Sequence, residues 1–310
     1  MKSGTEIDGV LLVDKSPGMT SHDVVAITRR ALDTKKVGHC GTLDPLATGV
    51  VVVCLGHATR LVDHIHAQSK AYAATFLLGR SSPSDDLETP VEEEPAPRVP
   101  SRAEIEAAAV ALRGDILQRP CDYSAVHVDG KRAYRLARKG RAPVIAARPV
   151  HVARLEVTSW EWPRLALEVE CSSGTFIRAL GRDLAESLGT RAVMESLVRT
   201  RVGPFGLAGA VRPEALVPDA VALLLRPALD ALPHLPRVVL GGPLLDRAVR
   251  GGLLSDEDLG KVEPAPASAA AAAERDGAVV ALDPTGAIVG ILGRLPRGTW
   301  RLRPNFRGLG

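Results

Sequence analysis

The stretch Val37-Gly38-His39-Cys40-Gly41-Thr42-Leu43-Asp44-Pro45-Leu46-Ala47-Thr48-Gly49 sets one carboxylate in the middle of a segment that cannot be regular. Three glycines and a proline fall within 13 residues. Glycine admits backbone conformations closed to other residues, and proline fixes φ and removes a donor. The apolar run Val50-Val51-Val52-Val53-Cys54-Leu55 follows at once and predicts a buried strand. Loops braced by such strands are where catalytic groups sit, which makes Asp44 the first candidate. The alternative is a structural turn in which Asp44 only accepts from backbone amides.

Cations form the second signal. Lys131-Arg132-Ala133-Tyr134-Arg135-Leu136-Ala137-Arg138-Lys139-Gly140-Arg141 holds six of them and no acid. With Tyr134 among them, they suit a phosphate backbone, or else form a solvated helix face. Arg178, Arg182, Arg191, Arg199 and Arg201 make a second set, and two sets far apart in sequence favour an extended anionic partner. Arg178 follows Gly174-Thr175-Phe176-Ile177, where Ile177 and Leu180 would turn a helix inward. A buried arginine needs a carboxylate, and Asp44 is the candidate partner. His57, His64, His66 and Cys54 lack a convergent set of carboxylates, so no metal site is predicted. No P-loop or second acidic motif supports phosphoryl transfer at Asp44.

The elements that must position these groups follow from periodicity. Strands are predicted over 10–13, 50–55, 71–78, 150–158 and 164–171. Helices are predicted over 22–32 with Ser21 as cap, 58–65, 103–112 with Ser101 as cap, 132–138, 177–188 and, shorter, 192–197. Residues 81–100, rich in Ser, Pro, Asp and Glu, predict a solvated, mobile connection. The tail carries short strands near 238–240, 277–282, 287–292 and 299–302, with an alanine- and proline-rich insert over 261–273. At 310 residues, one large domain, 1–230, and a small β-rich one, 231–310, are expected. Net charge is only +3, so nucleic-acid binding must rest on local clustering. Four scattered cysteines form no CxxC pair, which predicts a reduced, cytoplasmic protein. No apolar run approaches the roughly 18–20 residues of a membrane span, and no apolar signal core opens the chain.

Five stretches in order carry a resemblance. They are Gly9-Val10-Leu11-Leu12-Val13-Asp14-Lys15 with Pro17-Gly18-Met19-Thr20-Ser21; Gly38-His39 through Gly49; Lys70-Ala71-Tyr72; Gly130-Lys131-Arg132-Ala133-Tyr134 to Gly140; and Cys171-Ser172-Ser173-Gly174-Thr175-Phe176-Ile177-Arg178 with Leu197-Val198-Arg199-Thr200-Arg201 and Gly203-Pro204-Phe205. Together they resemble the TruB family of tRNA pseudouridine-55 synthases. The resemblance implies an α+β fold: a mixed, mostly antiparallel sheet flanked by helices, plus a small β-rich, PUA-like C-terminal domain. It implies isomerisation of uridine to pseudouridine in the TΨC loop of tRNA, with no cofactor and no metal; a monomer is expected as the simplest case. By the same resemblance Asp44, Tyr72 and Arg178 are catalytic. His39, Leu197, Phe176 and Lys15 form the substrate site; the clustering read above, not the resemblance, offers Lys131, Arg132, Arg135, Arg138, Lys139 and Arg141 to the RNA backbone. A non-catalytic RNA-binding or tRNA-folding protein is the alternative. The chain departs from the family pattern at Ser16, Cys40, Cys121, His127 and Phe176, and in a serine turn at Ser82 and Ser84.

Overall fold

Strand β1 (Gly9–Lys15) and the fully apolar β3 (Thr48–Leu55) lie antiparallel, with Val13 opposite Val51, and β2 (Val37–His39) adds to the far edge of β3. The computed structural model describes residues 7–128, 130–140, 144–265 and 277–306. Between β1 and β2 runs helix α1 (Ser21–Ala31), which buries Val24 and Val25. Its cap is Thr20, in a reciprocal box with Asp23. The predicted cap Ser21 is instead the first residue of the helix. Its buried hydroxyl accepts from Leu43 N at 2.9 Å, so α1 anchors the Asp44 loop. A 3₁₀ turn and the short α2 (Val62–His66) lead to β4 (Lys70–Leu78).

The two-residue strands β5 (Arg80–Ser81) and β6 (Glu92–Glu93) pair with each other. The expectation of a solvated connection over 81–100 holds at 90–93, 95, 96, 98 and 99 but fails in the turn between β5 and β6. Ser84 and Asp86 are completely enclosed, because this turn packs between helix and sheet. Helix α3 (Arg102–Ala111) is capped by Ser101 as expected, and β7 (Gly114–Gln118) follows. The hairpin β8 (His127–Val128) and β9 (Lys131–Arg132) opens into α4 (Ala133–Ala137). The long pair β10 (Arg148–Glu161) and β11 (Arg164–Cys171) leads to α5 (Ile177–Ser187).

Residues 192–202, for which a short helix is expected over 192–197, are instead strand β12 (Ala192–Val202). Alanine, methionine, glutamate and leucine favour a helix locally. Pairing overrides them: β12 sits between β4 (antiparallel) and β3 (parallel), at the centre of the sheet. The order is β1-β3-β12-β4-β11-β10-β7, with β13 (Phe205–Gly206) on β12 and β2 on β3. One face of this mostly antiparallel sheet is covered by α1, α3 and α5, and its core runs from Leu11 and Val51 to Tyr72, Phe76, Leu167, Leu180 and Leu197.

Helix α6 (Pro218–Leu224) leads toward a second sheet, β14-β15-β16-β17, made of β14 (Arg237–Val239), β15 (Val279–Leu282), β16 (Ile288–Arg294) and β17 (Trp300–Asn305). Helices α7 (Gly242–Val249) and α8 (Asp256–Leu259) cover it through Ala248 and Leu259, with Leu254 from the connection between them. Its other side, with Val280, Leu282 and Ile291, packs through Leu232 and Leu235 on the back of the first sheet at Val10, Leu12, Val50 and Val52. Part of the expected insert over 261–273 lies outside the described residues. The chain is therefore α+β, with a large mixed sheet and a smaller C-terminal one. Among the described residues no helix is long and apolar enough to cross a membrane.

Candidate active site

Asp44 is held from four sides. Lys15, at the end of β1 and fully enclosed, donates from Nζ to the carbonyls of Pro45 (3.1 Å), Ser16 (3.1 Å) and Met19 (2.7 Å). Gly18 N donates to the same Pro45 carbonyl at 2.8 Å. Ser21 fixes Leu43 N, and Ala47 N closes a turn on Asp44 O at 3.0 Å. Beneath the loop, Arg199 reaches the carbonyls of Gly41 and Thr42. The loop is thus a rigid platform, and its irregular backbone is satisfied by side chains instead of a ladder. The extra residue Ser16 does not disturb this, since its carbonyl becomes one of the lysine's acceptors.

Arg178 lies in the first turn of α5 and is 5% exposed, whereas the Asp44 side chain is 31% exposed. The guanidinium grips the carboxylate with both arms: Nε to Oδ2 at 3.0 Å and Nη2 to Oδ1 at 3.1 Å. Such fork-on-fork pairs fix orientation as well as charge. The remaining donors of Arg178 go to Ser84 O (2.7 Å) and Tyr123 O (3.0 Å), and Nη1 lies 3.2 Å from Asp86 Oδ2. Asp86 is itself held by Ser84 Oγ at 2.5 Å and Glu88 N at 2.9 Å, while Ser82 binds its carbonyl. One guanidinium therefore bridges an enclosed carboxylate behind and an accessible one in front.

Burial pushes the Asp44 carboxyl above the ordinary range; Arg178 pulls it back, and Asp86 and Glu88 push it up again. The bidentate guanidinium, which cannot deprotonate, favours the ionised form against that burial. Lys15 is lowered to about 8 by burial, against the pull of Asp44. His39, on β2, is lowered to about 4 by burial, with His22 and Arg199 adding. Its imidazole is neutral at pH 7 and meets the His22 ring edge-on at 5.3 Å.

Tyr72 is central on β4 and 8% exposed, in the same apolar cluster as Leu43, Ala47 and Leu197. Burial pushes its phenol up to about 12, with Arg199 lowering it and Asp44 raising it. Phe176 caps α5 and is fixed at both backbone atoms by enclosed Gln118: N to Oε1 at 2.8 Å, and Nε2 to O at 3.1 Å. Its ring carries the Arg148 guanidinium at 4.8 Å, and Arg148 also donates to Gly174 O. Asp44, Arg178, Lys15, Tyr72 and Leu197 are thus drawn to one region. The cations Lys131, Arg132, Arg135, Arg138 and Lys139 are exposed on the β9–α4 segment. They are not all free, since Arg138 pairs with Glu88 at 2.8 Å and so ties that segment to the turn behind Arg178. Arg141 lies outside the described residues.

Sequence reasoning missed Asp86 and the placement of Arg199, and it named Ser84 only as a departure from the family pattern, without its hold on Asp86. Asp86 fell in a stretch whose composition reads as solvated. The alternation Leu197, Arg199, Arg201 was the available sign that Arg199 shares a strand face with Leu197.

A family model described as TruB family pseudouridylate synthase (N terminal domain) matches residues 29–177. The tRNA pseudouridine synthase B of Mycobacteroides abscessus is 45% identical over 221 residues, covering 70% of this chain and 74% of that one. Its counterpart in an Arthrobacter species is 44% identical over 232 residues, covering 73% and 76%. Among solved structures, the archaeal box H/ACA sRNP Nop10–Cbf5 complex matches in fold with a TM-score of 0.72 at 24% identity, over 97% of this chain and 86% of that one. Carboxylate loop, guanidinium clamp, sheet order and these likenesses agree: the chain belongs to the TruB family of pseudouridylate synthases.

Proposed function

We propose that this chain converts uridine to pseudouridine at position 55, in the TΨC loop of tRNA, with Asp44 as the catalytic carboxylate. The relatives at 44–45% identity are tRNA pseudouridine synthases. The observation that carries the residue assignment is the two-armed Arg178 grip on a carboxylate that stays open to solvent while its partner is enclosed.

The reaction breaks N1–C1′, turns the base and forms C5–C1′. The C5 hydrogen leaves as a proton and N1 gains one, so no electrons are exchanged and no redox cofactor is called for. An ionised carboxylate can attack C1′ or C6, or act as a base at the sugar. Each route needs Asp44 charged and aimed, which Arg178, Lys15 and the loop provide. The target lies within a folded loop and must be extruded at a cost of a few kcal/mol. Stacking on Tyr72 returns about 1–3 kcal/mol, and Leu197 and Phe176 exclude water from the rest of the base. Neutral His39 occupies the entrance on the β2 side. The exposed cations of β9 and α4 track the phosphates of the T-arm stem. In this reading residues 1–230 form the catalytic domain and 231–310 a PUA-like RNA-binding domain of a cytoplasmic monomer.

Tritium release from C5-labelled uridine in tRNA tests the proposal. Stoichiometric release that Asp44→Asn abolishes supports it. Binding without release would favour the alternative of a non-catalytic tRNA-folding protein.

A further inference from the structure

Arg199 is 1% exposed, and no carboxylate pairs with it among the described residues. A guanidinium removed from water costs several kcal/mol unless its donors are met. Here they are met by backbone: Nε gives to Val50 O at 2.7 Å, Nη2 to Gly41 O at 3.1 Å and Nη1 to Thr42 O at 3.4 Å. These three carbonyls belong to Val50 near the start of β3 and to Gly41 and Thr42, which lead into Asp44. In the ladder, Arg199 stands directly opposite Tyr72, and its guanidinium acts on the Tyr72 phenol. Behind the same strand position, Gly49 at φ +101 lets the β3 backbone close on that of Arg199, leaving no room for a Cβ.

We propose that Arg199 is the positioning residue that sets Tyr72 against the Asp44 loop and orients the Tyr72 hydroxyl toward the substrate base. It touches no reacting atom. A guanidinium can only donate, so a phenol oxygen facing it must act as acceptor. The Tyr72 proton is thereby turned away from Arg199. One rigid planar group holds the loop carbonyls and stands beside the tyrosine across the ladder, so it links the two. Lysine could supply the charge but not three directed donors. The other ionisable groups that act on the phenol are Cys171 and Asp44. This inference rests on Tyr72 meeting the extruded base.

The test combines kinetics with fluorine NMR. The chain has three tyrosines, so biosynthetic 3-fluorotyrosine gives three signals, and Tyr72→Phe identifies the one of interest. Fluorination brings phenol ionisation down toward the range where the protein stays folded. Arg199→Met should lower kcat about a hundredfold, the cost of a displacement of about 1 Å at a reactive group. KM for tRNA should change less than about threefold. The ionisation midpoint of fluorinated Tyr72 should rise by about one unit, because a cation favours phenolate. Arg199→Lys should move both readouts the same way by less, and it is the variant to read if Arg199→Met fails to fold. An unmoved midpoint, or a loss confined to KM, would overturn the proposal. If Tyr72→Phe itself kept full kcat, the placement of Tyr72 at the base would be wrong instead, whatever Arg199 does.

Discussion

Arg178 carries two carboxylates, and this decides what each substitution does. Removing Asp44 as Asp44→Asn leaves the guanidinium on Asp86, Ser84 O and Tyr123 O. Since burial raises the Asp44 carboxyl, its ionisation opposes folding above the unfolded-state pKa. The variant should therefore melt at the same temperature or higher, while kcat falls at least about a thousandfold. Calorimetry beside single-turnover assays checks both halves. Arg178→Met is the opposite case. It strands an enclosed Asp86 beside Asp44 and should cost about 3–5 kcal/mol, read by urea unfolding.

Lys70 gives a pH signature at the same scale. It is 4% exposed, hydrogen-bonded to the Gln68 and His66 carbonyls, and lowered to about 8 by burial, with Arg199 adding. Between that value and its unfolded pKa near 10.5, the unfolded chain holds the extra proton, so stability rises with pH. Relative to Lys70→Met, the wild type should gain about 2–3 kcal/mol from pH 7 to pH 10. A constant difference across that range would show that Lys70 is not desolvated.

At the scale of elements, the site depends on the parallel junction of β3 with β12, where Gly49 faces Arg199. Gly49→Ala would both strain a positive φ and push a methyl into the Arg199 backbone. It should cost at least about 2 kcal/mol and reduce kcat, as the loop and Tyr72 separate. Equal stability and rate in the variant would mean that the junction tolerates slack.

These same elements show what a sequence discloses. The Asp44 loop was legible because Gly41, Pro45 and the following apolar run break regular structure there, although the ends of the stretch are regular: Val37–His39 pair as β2 and Thr48 and Gly49 open β3. Arg178 was legible as a partner because its helix had to turn inward. The edge-to-centre position of β12 was not: Ala192, Met194, Glu195 and Leu197 read as helix until β4 and β3 claim them. Asp86 was hidden because only its neighbours in space, Arg178 and Ser84, distinguish it from the solvated acids around it. Non-local pairing decides both, and local propensity does not contain it.

Across the whole molecule, the second sheet closes the back of the first. Val280 is fully enclosed between them, with Leu12 and Val52 in the same cluster. Val280→Asp should cost at least about 3 kcal/mol and bring down the first sheet as well. Scanning calorimetry of the full chain should show one transition; two well-separated ones would mean the sheets fold independently. On the outer surface, Arg135 and Lys139 are exposed, as is Arg138, which is ion-paired with Glu88. Replacing both by alanine should weaken tRNA binding and lower the slope of log K against log salt by about 1.5, with kcat unchanged at saturation.

The most direct measurement is pseudouridine mapping of tRNA after a single turnover with excess wild-type protein or Asp44→Asn, with tRNA binding followed in parallel. A modified base in the TΨC loop with the wild type, none with the variant and equal binding by both is the expected result. Pseudouridine formed by Asp44→Asn at the wild-type rate would contradict it.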